Sequence, residues 1–186
     1  FTSLQNLHNY TTKKPLHYRM MHRVNGTFMN YLSFRINYDY SLKERYDYYE
    51  PRVDGRYYII PKYKYGNLFL SSDYRKTLAI DATLRCTYTP DIDFYKPVFT
   101  IKPIIRVNDK FSFNHFFKIA KDYNNIGYVT VDSSSDIIFG SRGISLVENV
   151  FSGLYIFKPN LSLSLRVRHY WIKGEYDKYY TLLESG

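Results

Sequence analysis

The sequence predicts an all-β fold: an antiparallel up-and-down transmembrane β-barrel, of which this chain supplies a segment of about eight strands. The first observation behind this is the stretch from Leu161 to Trp171. Leu161, Leu163, Leu165, Val167, His169 and Trp171 fall on one face, and Ser162, Ser164, Arg166, Arg168 and Tyr170 on the other, because successive strand side chains point to opposite sides. A half-buried strand of a soluble sheet alternates too. Here the length, the Arg residues on the polar face and the aromatic residue closing the apolar face match a membrane-crossing strand. Such a strand needs about nine to eleven residues, with aromatic girdles at its ends. The second observation is composition. The chain is 19% aromatic, with 22 Tyr and 13 Phe, yet its mean hydropathy is -0.42. A soluble core leans on Leu, Ile and Val, whereas a barrel with a polar interior combines aromatic residues with low hydropathy. The third is a rhythm of turns, short at one end of the strands and long at the other.

Taken in order, Phe1 to Pro15 is polar, and Thr11-Thr12-Lys13-Lys14-Pro15 reads as loop. Leu16 to Val24 is a strand of poor alternation, and Asn25-Gly26 is the strongest short hairpin signal. Thr27 to Tyr40 is a strand with Phe28, Leu32, Phe34, Ile36, Tyr38 and Tyr40 on one face and Ser33, Arg35, Asn37 and Asp39 on the other. Ser41 to Gly55 is a long charged loop. Pro61 and Gly66 weaken the segment after it, so the next strand is Lys64 to Ser72. A turn at Asp73-Tyr74-Arg75-Lys76 leads to Thr77–Thr89, where Leu78, Ile80, Ala82, Leu84, Cys86 and Tyr88 oppose Thr77, Asp81, Thr83, Arg85 and Thr87. Pro90 to Asp93 turns into a strand from Phe94 to Val107 that contains Pro97 and Pro103. Asn108-Asp109-Lys110 turns again, and Phe111 to Ile119 alternates. Asp122 to Gly143, rich in Asp, Ser, Asn and Gly, reads as a long loop holding a small hairpin of Ile126–Val131 and Asp136–Phe139. Ile144 to Phe157, a three-residue turn at Lys158-Pro159-Asn160, and Leu161 to about Tyr176 complete the chain. In that last hairpin Phe157 is expected opposite Leu161, with Tyr155 and Phe157 outward beside Leu163 and Leu165.

Every second connection of an up-and-down barrel lies at the same end. Short turns at one end and long loops at the other is the outer-membrane arrangement, the short ones being periplasmic. Followed through, this puts both chain ends on the outer side. A complete bacterial barrel keeps them in the periplasm, and Thr181–Gly186 lacks a closing aromatic strand. The expectation is an internal piece of a larger barrel. Its strands near Leu16 and Leu161 would pair with strands elsewhere and not with each other, since unpaired backbone in a bilayer is expensive.

The alternation assigns faces. Phe34, Ile36, Leu78, Ile80, Leu84, Leu163, Leu165 and Val167 are expected to face lipid. Arg35, Asp39, Asp81, Arg85, Arg166 and Arg168 are expected to line the lumen, the Asp residues as partners for the Arg. Tyr40, Tyr88 and Trp171 are expected at the membrane interface. The chain, residues 1–186, reads as one partial barrel domain. The charge of +9 fits nucleic acid, an anionic surface or a cationic lumen. With Cys86 as the one cysteine, no intrachain disulfide forms, and Cys86 reads as a small hydrophobe. No apolar run reaches the ~20 residues of a membrane helix. The start at Phe1, with neither initiator Met nor signal peptide, implies a processed or partial chain.

Four segments in order, Tyr46-Asp47-Tyr48-Tyr49-Glu50-Pro51-Arg52, Ser71-Ser72-Asp73-Tyr74-Arg75-Lys76, Ile137-Ile138-Phe139-Gly140-Ser141-Arg142 and Leu163-Ser164-Leu165-Arg166-Val167-Arg168-His169-Tyr170-Trp171, resemble the C-terminal barrel region of an uncharacterised Bacteroidota outer-membrane family. The resemblance runs from about Gly26 to Gly186. It implies a barrel that continues past this chain, and an N-terminal domain similar to family-9 carbohydrate-binding modules that this chain does not contain. The family supplies no catalytic residues to carry over.

Nothing in the sequence points to catalysis, a cofactor or a resident metal. His8, His17, His22, His115 and His169 are scattered without ligand spacing. Asp91/Asp93 and Asp132/Asp136 lack the fixed loop of a dedicated calcium site and read as solvated loop charge. Glu50 and Arg52, flanking Pro51, read as a salt bridge pinning the long loop, because no nucleophile accompanies them. There is no Gly-rich phosphate loop, Gly-x-Ser-x-Gly or His-Glu-x-x-His. Tyr interleaved with basic residues would suit nucleic acid, but the strand Arg residues alternate with lipid-type residues. The expected function is therefore a non-enzymatic bacterial outer-membrane barrel acting as pore, surface scaffold or anchor for a glycan-binding domain. Its partners would be lipid, the remaining strands of the same or another chain, and glycan through a further domain, with no nucleic acid. The contrasting reading is a soluble, basic, aromatic-rich β-protein that binds nucleic acid or polysaccharide.

Overall fold

A computed structural model describes every residue except Thr12, which lies within the loop expected at Thr11–Pro15, and describes Pro15 by its backbone alone. The chain is an all-β antiparallel meander. Nine strands follow one another across a single sheet in chain order, apart from a small two-stranded insert, β4 (Arg45–Asp47) with β5 (Tyr58–Ile60). The main sheet runs β1 (Thr2–His8), β2 (Pro15–Thr27), β3 (Ser33–Ser41), β6 (Lys64–Ser71), β7 (Leu78–Thr89), β8 (Phe94–Arg106), β9 (Phe111–Val131), β10 (Ile137–Lys158) and β11 (Leu161–Thr181). It is open, with β1 and β11 at its two edges. As expected, the Leu16 and Leu161 strands do not pair with each other. Among the described residues the only helical element is a 3-10 turn at Pro90–Ile92, and no helix is long and apolar enough to cross a membrane.

Four expectations are corrected. The first strand is β1, inside the stretch read as polar loop. It pairs with β2 from Thr2↔His22 to His8↔Pro15, so β2, which also pairs with β3, has both its partners within the chain. With nine strands in place of eight, the two ends of the chain lie at opposite ends of the sheet and not on the same side. The second correction is the first hairpin. Asn25 and Gly26 lie inside β2, opposite Arg35 and Phe34. The Phe34 ring covers Gly26 so closely that a Cβ there would come within 2.9 Å of it. The chain turns later, at 28–32, where Tyr31 adopts φ 64 and the Phe28 N–H bonds the Leu32 carbonyl at 2.9 Å.

The third correction is the largest. Asp122 to Gly143 is not a loop: β9 has 21 residues and β10 has 22, and only 132–136 connects them. The strands absorb the unfavourable composition through irregularities. Asn124 sits at φ 52 where the register slips between Arg142 and Ile144, and a second slip lies between Ile138 and Phe139. Such bulges take an extra residue without ending the strand. At ~3.3 Å per residue these strands measure about 70 Å, far more than a bilayer requires. The fourth is the last hairpin. Its loop is the two residues Pro159-Asn160, closed by Lys158↔Leu161, with the slip at Phe157. That slip restores Tyr155↔Leu163, so the expected facing of Tyr155 with Leu163 holds although the loop is shorter.

Pro97 and Pro103 remain inside β8. They take part in the ladder to β7, opposite Cys86 and Ile80, but the ladder from β8 to β9 skips both, as residues without an N–H must.

Candidate functional site

Directly opposed residues of an antiparallel pair share a face, so the register carries each face across the whole sheet. One face is apolar. A single row reads Ile36, Leu68, Leu84, Phe99, Ile119, Val147 and Trp171 from β3 to β11. Four positions along β3 from Ile36, four of five strands contribute Tyr to one row: Tyr40, Lys64, Tyr88, Tyr95 and Tyr123. Tyr95 and Tyr123 lie 6.1 Å apart, and the Tyr40 hydroxyl reaches the Met20 sulfur at 2.9 Å. A second aromatic group lies toward the short turns, where Phe111, Phe113, Phe151, Tyr155 and Phe157 contact one another with centroids 4.7 to 6.2 Å apart. Between them the row that begins at Tyr38 continues through the small side chains of Gly66, Cys86 and Pro97 and opens a depression of about 660 Å³. Phe34, Ile36, Leu78, Ile80, Leu84, Leu163, Leu165 and Val167 all lie on this apolar face, as do Tyr40 and Tyr88. Trp171 shares the face but falls in the aliphatic row and not in the tyrosine row.

The other face is polar, and it is the more buried one. Leu84, Ile36 and Ile119 on the apolar face are 54%, 48% and 46% exposed, whereas Asp122, Asp39 and Thr100 on the polar face are 5%, 6% and 8% exposed. The small second sheet, β4–β5, reaches this side at one end, where Arg45, Tyr58 and Ile60 line a cavity with Thr87 and Thr89; elsewhere the enclosure comes from the main sheet curling toward its polar side. Residues of six consecutive main-sheet strands, β6 to β11, line one basin of about 310 Å³ there. Arg35, Asp39, Asp81, Arg85, Arg166 and Arg168 all lie on this concave face.

The partnerships differ from those expected. Asp39 pairs with Arg19 at 3.5 Å, its Oδ1 having no hydrogen-bond partner. Asp81 accepts the Ser71 hydroxyl at 2.7 Å and also the Tyr74 hydroxyl. Arg35 rests over the Phe69 ring, 5.9 Å from its centre, and Arg168 pairs with Glu148 at 2.8 Å. Register explains this: Arg35 stands opposite Phe69, and Arg85 opposite Asn67 and Val98.

At the other end of the strands, the 42–63 connection folds onto the β9–β10 hairpin. The expected Glu50–Arg52 ion pair is absent among the described residues. Glu50 instead accepts the Tyr128 backbone N–H at 2.9 Å, while Arg52 lies 4.8 Å from the Tyr128 ring centre. Tyr58 packs on Phe139 at 5.0 Å, and Arg56 donates to the Leu182 and Leu183 carbonyls at 3.1 and 2.9 Å. Burial, with the nearby Glu50 charge, raises the Tyr58 pKa. Gly127 and Gly140 are directly paired. A Cβ at 127 would meet the Glu50 carboxylate at 2.8 Å, so the glycine makes room for the docked loop. Lys14, from the β1–β2 connection, lies over the Tyr57 ring at 3.7 Å, and its hydrogen bond to Tyr57 raises its pKa. The segments 46–52 and 137–142, far apart in the sequence, thus meet in one latch at Gly127, beside Glu50 and Arg142.

The short-turn end is tied by Asp73. Its carboxylate accepts Arg75 Nε and a terminal guanidinium nitrogen, both at 2.9 Å, and the Arg75 backbone N–H at 3.0 Å. The Arg75 hydrogen bonds lower the Asp73 pKa to about 2. Arg75 in turn lies 3.3 Å from the centre of the Tyr31 ring, joining two neighbouring turns.

The profile of the family described as Domain of unknown function (DUF5916) matches residues 1–186. The chain belongs to the DUF5916 family. No curated protein and no solved structure matches it. Among the described residues no three His, Cys, Asp or Glu side chains converge as a metal site would require. Asp132 accepts the Ser134 and Asp136 N–H groups, both at 2.9 Å, and so shapes its own turn. His115 meets Asn149 at 3.1 Å, and His22 stacks on Tyr40. Cys86 belongs to the small-chained row. The residues that sequence reasoning missed are Arg19, Glu148 and Tyr128, each defined by a partner distant in the chain.

Proposed function

We propose that this chain forms part of the wall of a non-enzymatic bacterial outer-membrane β-barrel, acting as a pore, a surface scaffold or the anchor of a glycan-binding domain. Its partners are outer-membrane lipid and further strands, from the same polypeptide or another outer-membrane chain. Glycan would be engaged through a Bacteroidota-type carbohydrate-binding domain outside this chain. The observation that carries the reading is the inversion of burial. Charged and hydroxyl groups are enclosed while Leu, Ile and Phe side chains face outward across the strands from β3 to β11. In water such a continuous apolar surface would far exceed the few hundred Å² that soluble monomers expose, whereas lipid suits it. The height agrees as well. Leu78 to Tyr88 spans ten residue steps, about 33 Å along the strand, which a 35–45° tilt reduces to roughly the 25 Å apolar band of outer-membrane barrels.

Extraction of the full-length protein tests the reading. A barrel requires detergent and migrates differently on gels before and after boiling. A protein that stays soluble without detergent, and binds anionic polymers in a salt-dependent way, would instead be the basic polymer-binding β-protein.

A further inference from the structure

The charges of the concave face do not balance. Each carboxylate there is engaged within the sheet: Asp39 with Arg19, Asp122 with Lys96 at 2.7 Å, Glu148 with Arg168, and Asp81 with the Ser71 and Tyr74 hydroxyls. Arg85, Lys102, Lys118 and Arg166 have no carboxylate within ion-pair distance among the described residues. Two of them, Arg85 and Lys118, line the 310 Å³ basin beside the Lys96–Asp122 pair. At the short-turn mouth of the same face a second basin, of about 410 Å³, is lined by Arg75, Lys76, Arg106 and Lys110; Asp109 is the sole carboxylate in its lining, and Arg75 is held by Asp73, so Lys76, Arg106 and Lys110 carry its charge. At the opposite end Arg45 lines a cavity of about 230 Å³, and its buried Nε has no hydrogen-bond partner.

We propose that the concave face is an anion-selective passage, entered through the Arg75–Lys76–Arg106–Lys110 basin and continued past Lys102, Arg166, Lys118 and Arg85. The inference rests on the barrel reading and adds to it the class of solute. Fixed cations whose counter-charges are absent hold a positive potential along a water-filled groove with low-dielectric walls, which concentrates anions and repels cations. Asp39, Asp122 and Glu148 cancel the Arg or Lys each pairs with, and Asp81, which accepts only hydroxyl groups and stands opposite Lys102, offsets one cation, so Arg35, Arg85, Lys118 and Arg166 leave the face net positive.

The test uses the full-length protein in a planar bilayer under a potassium chloride gradient. The reversal potential is expected to show preference for chloride over potassium. The Arg85→Glu, Arg166→Glu double variant should shift it several-fold in permeability ratio toward potassium. If that variant fails to give the heat-modifiable form, Lys102→Gln with Lys118→Gln supplies a milder loss of charge and should reduce the chloride preference. Heat-modifiable mobility of the same preparation reports the barrel independently. A barrel that prefers potassium, that conducts nothing, or whose reversal potential ignores all four substitutions overturns the anion passage and leaves the barrel standing. A protein that needs no detergent overturns both.

Discussion

A guanidinium placed at Leu165 would leave an aliphatic row for a position with no polar neighbour on its face. Gly153 stands opposite it, and Leu163 and Val167 are the next outward residues of the strand. Leu165→Arg is therefore expected to destabilise the folded protein by about 2–4 kcal/mol if the site lies near the bilayer midplane, as measured by denaturant unfolding in lipid. A cysteine at the same place should resist a water-borne thiol reagent. Ready labelling, or a change within surface scatter, would contradict the lipid-facing assignment. Asp73 makes a second residue-scale prediction. Its pKa lies at about 2 against an ordinary 3.8, chiefly through its hydrogen bonds from Arg75. A carboxyl depressed on folding stabilises the protein fully above its ordinary pKa and ceases to as pH falls toward the folded value. Thermal unfolding between pH ~4 and ~2 should thus show a loss of stability that Asp73→Asn and Arg75→Ala both flatten; an unchanged slope in Arg75→Ala would assign the depression to another group. At this scale the sequence was informative about direction and poor about company. Period-two alternation sorted Arg35, Arg85 and Leu84 onto their faces without knowledge of the fold. The partner of Asp39 lies two strand positions from the Met21 that stands opposite it, and only register reveals it.

The elements were legible wherever alternation was clean, as in β7, and illegible where bulges interrupted it, as in β9 and β10 beyond Asp122. A bulge resets the alternation, so a long strand that contains one looks like a loop between two shorter strands. Composition misled in the same place: Gly127 and Gly140 are there for close packing and not for a turn. Asn25-Gly26 misled for a related reason, since Gly26 pairs with Phe34 inside β2 and leaves room for its ring, and makes no turn. The docked 42–63 connection gives a prediction at this scale. Glu50→Ala leaves the Tyr128 N–H without its acceptor, a loss of about 1–3 kcal/mol if that group stays dry. Hydrogen exchange should then accelerate at Tyr128 and through the 42–63 segment, while β6 to β8 keep their protection. Unchanged exchange in that segment would show that the aromatic contacts of Tyr58 and the Arg56 bonds suffice without Glu50.

For the molecule as a whole, the class of fold was readable because the same unit repeats along the chain, while closure was not, because no local pattern encodes which edge meets which. β1 and β11 each present an edge without a partner among the described residues. Unsatisfied backbone groups are costly in hydrocarbon, so residues 1–186 prepared alone are not expected to insert into detergent micelles or vesicles as a heat-modifiable species. Recovery of a stable, boiling-sensitive form from that segment would refute the need for further strands. The strand β1, unforeseen in the sequence, changes the arithmetic of closure. In a meander the direction of travel reverses at every step, so the first and ninth strands point the same way. Joined to each other, they would make a parallel seam in an otherwise antiparallel wall. An antiparallel seam instead takes an odd number of intervening strands, so parity excludes two or four and admits one, three or five.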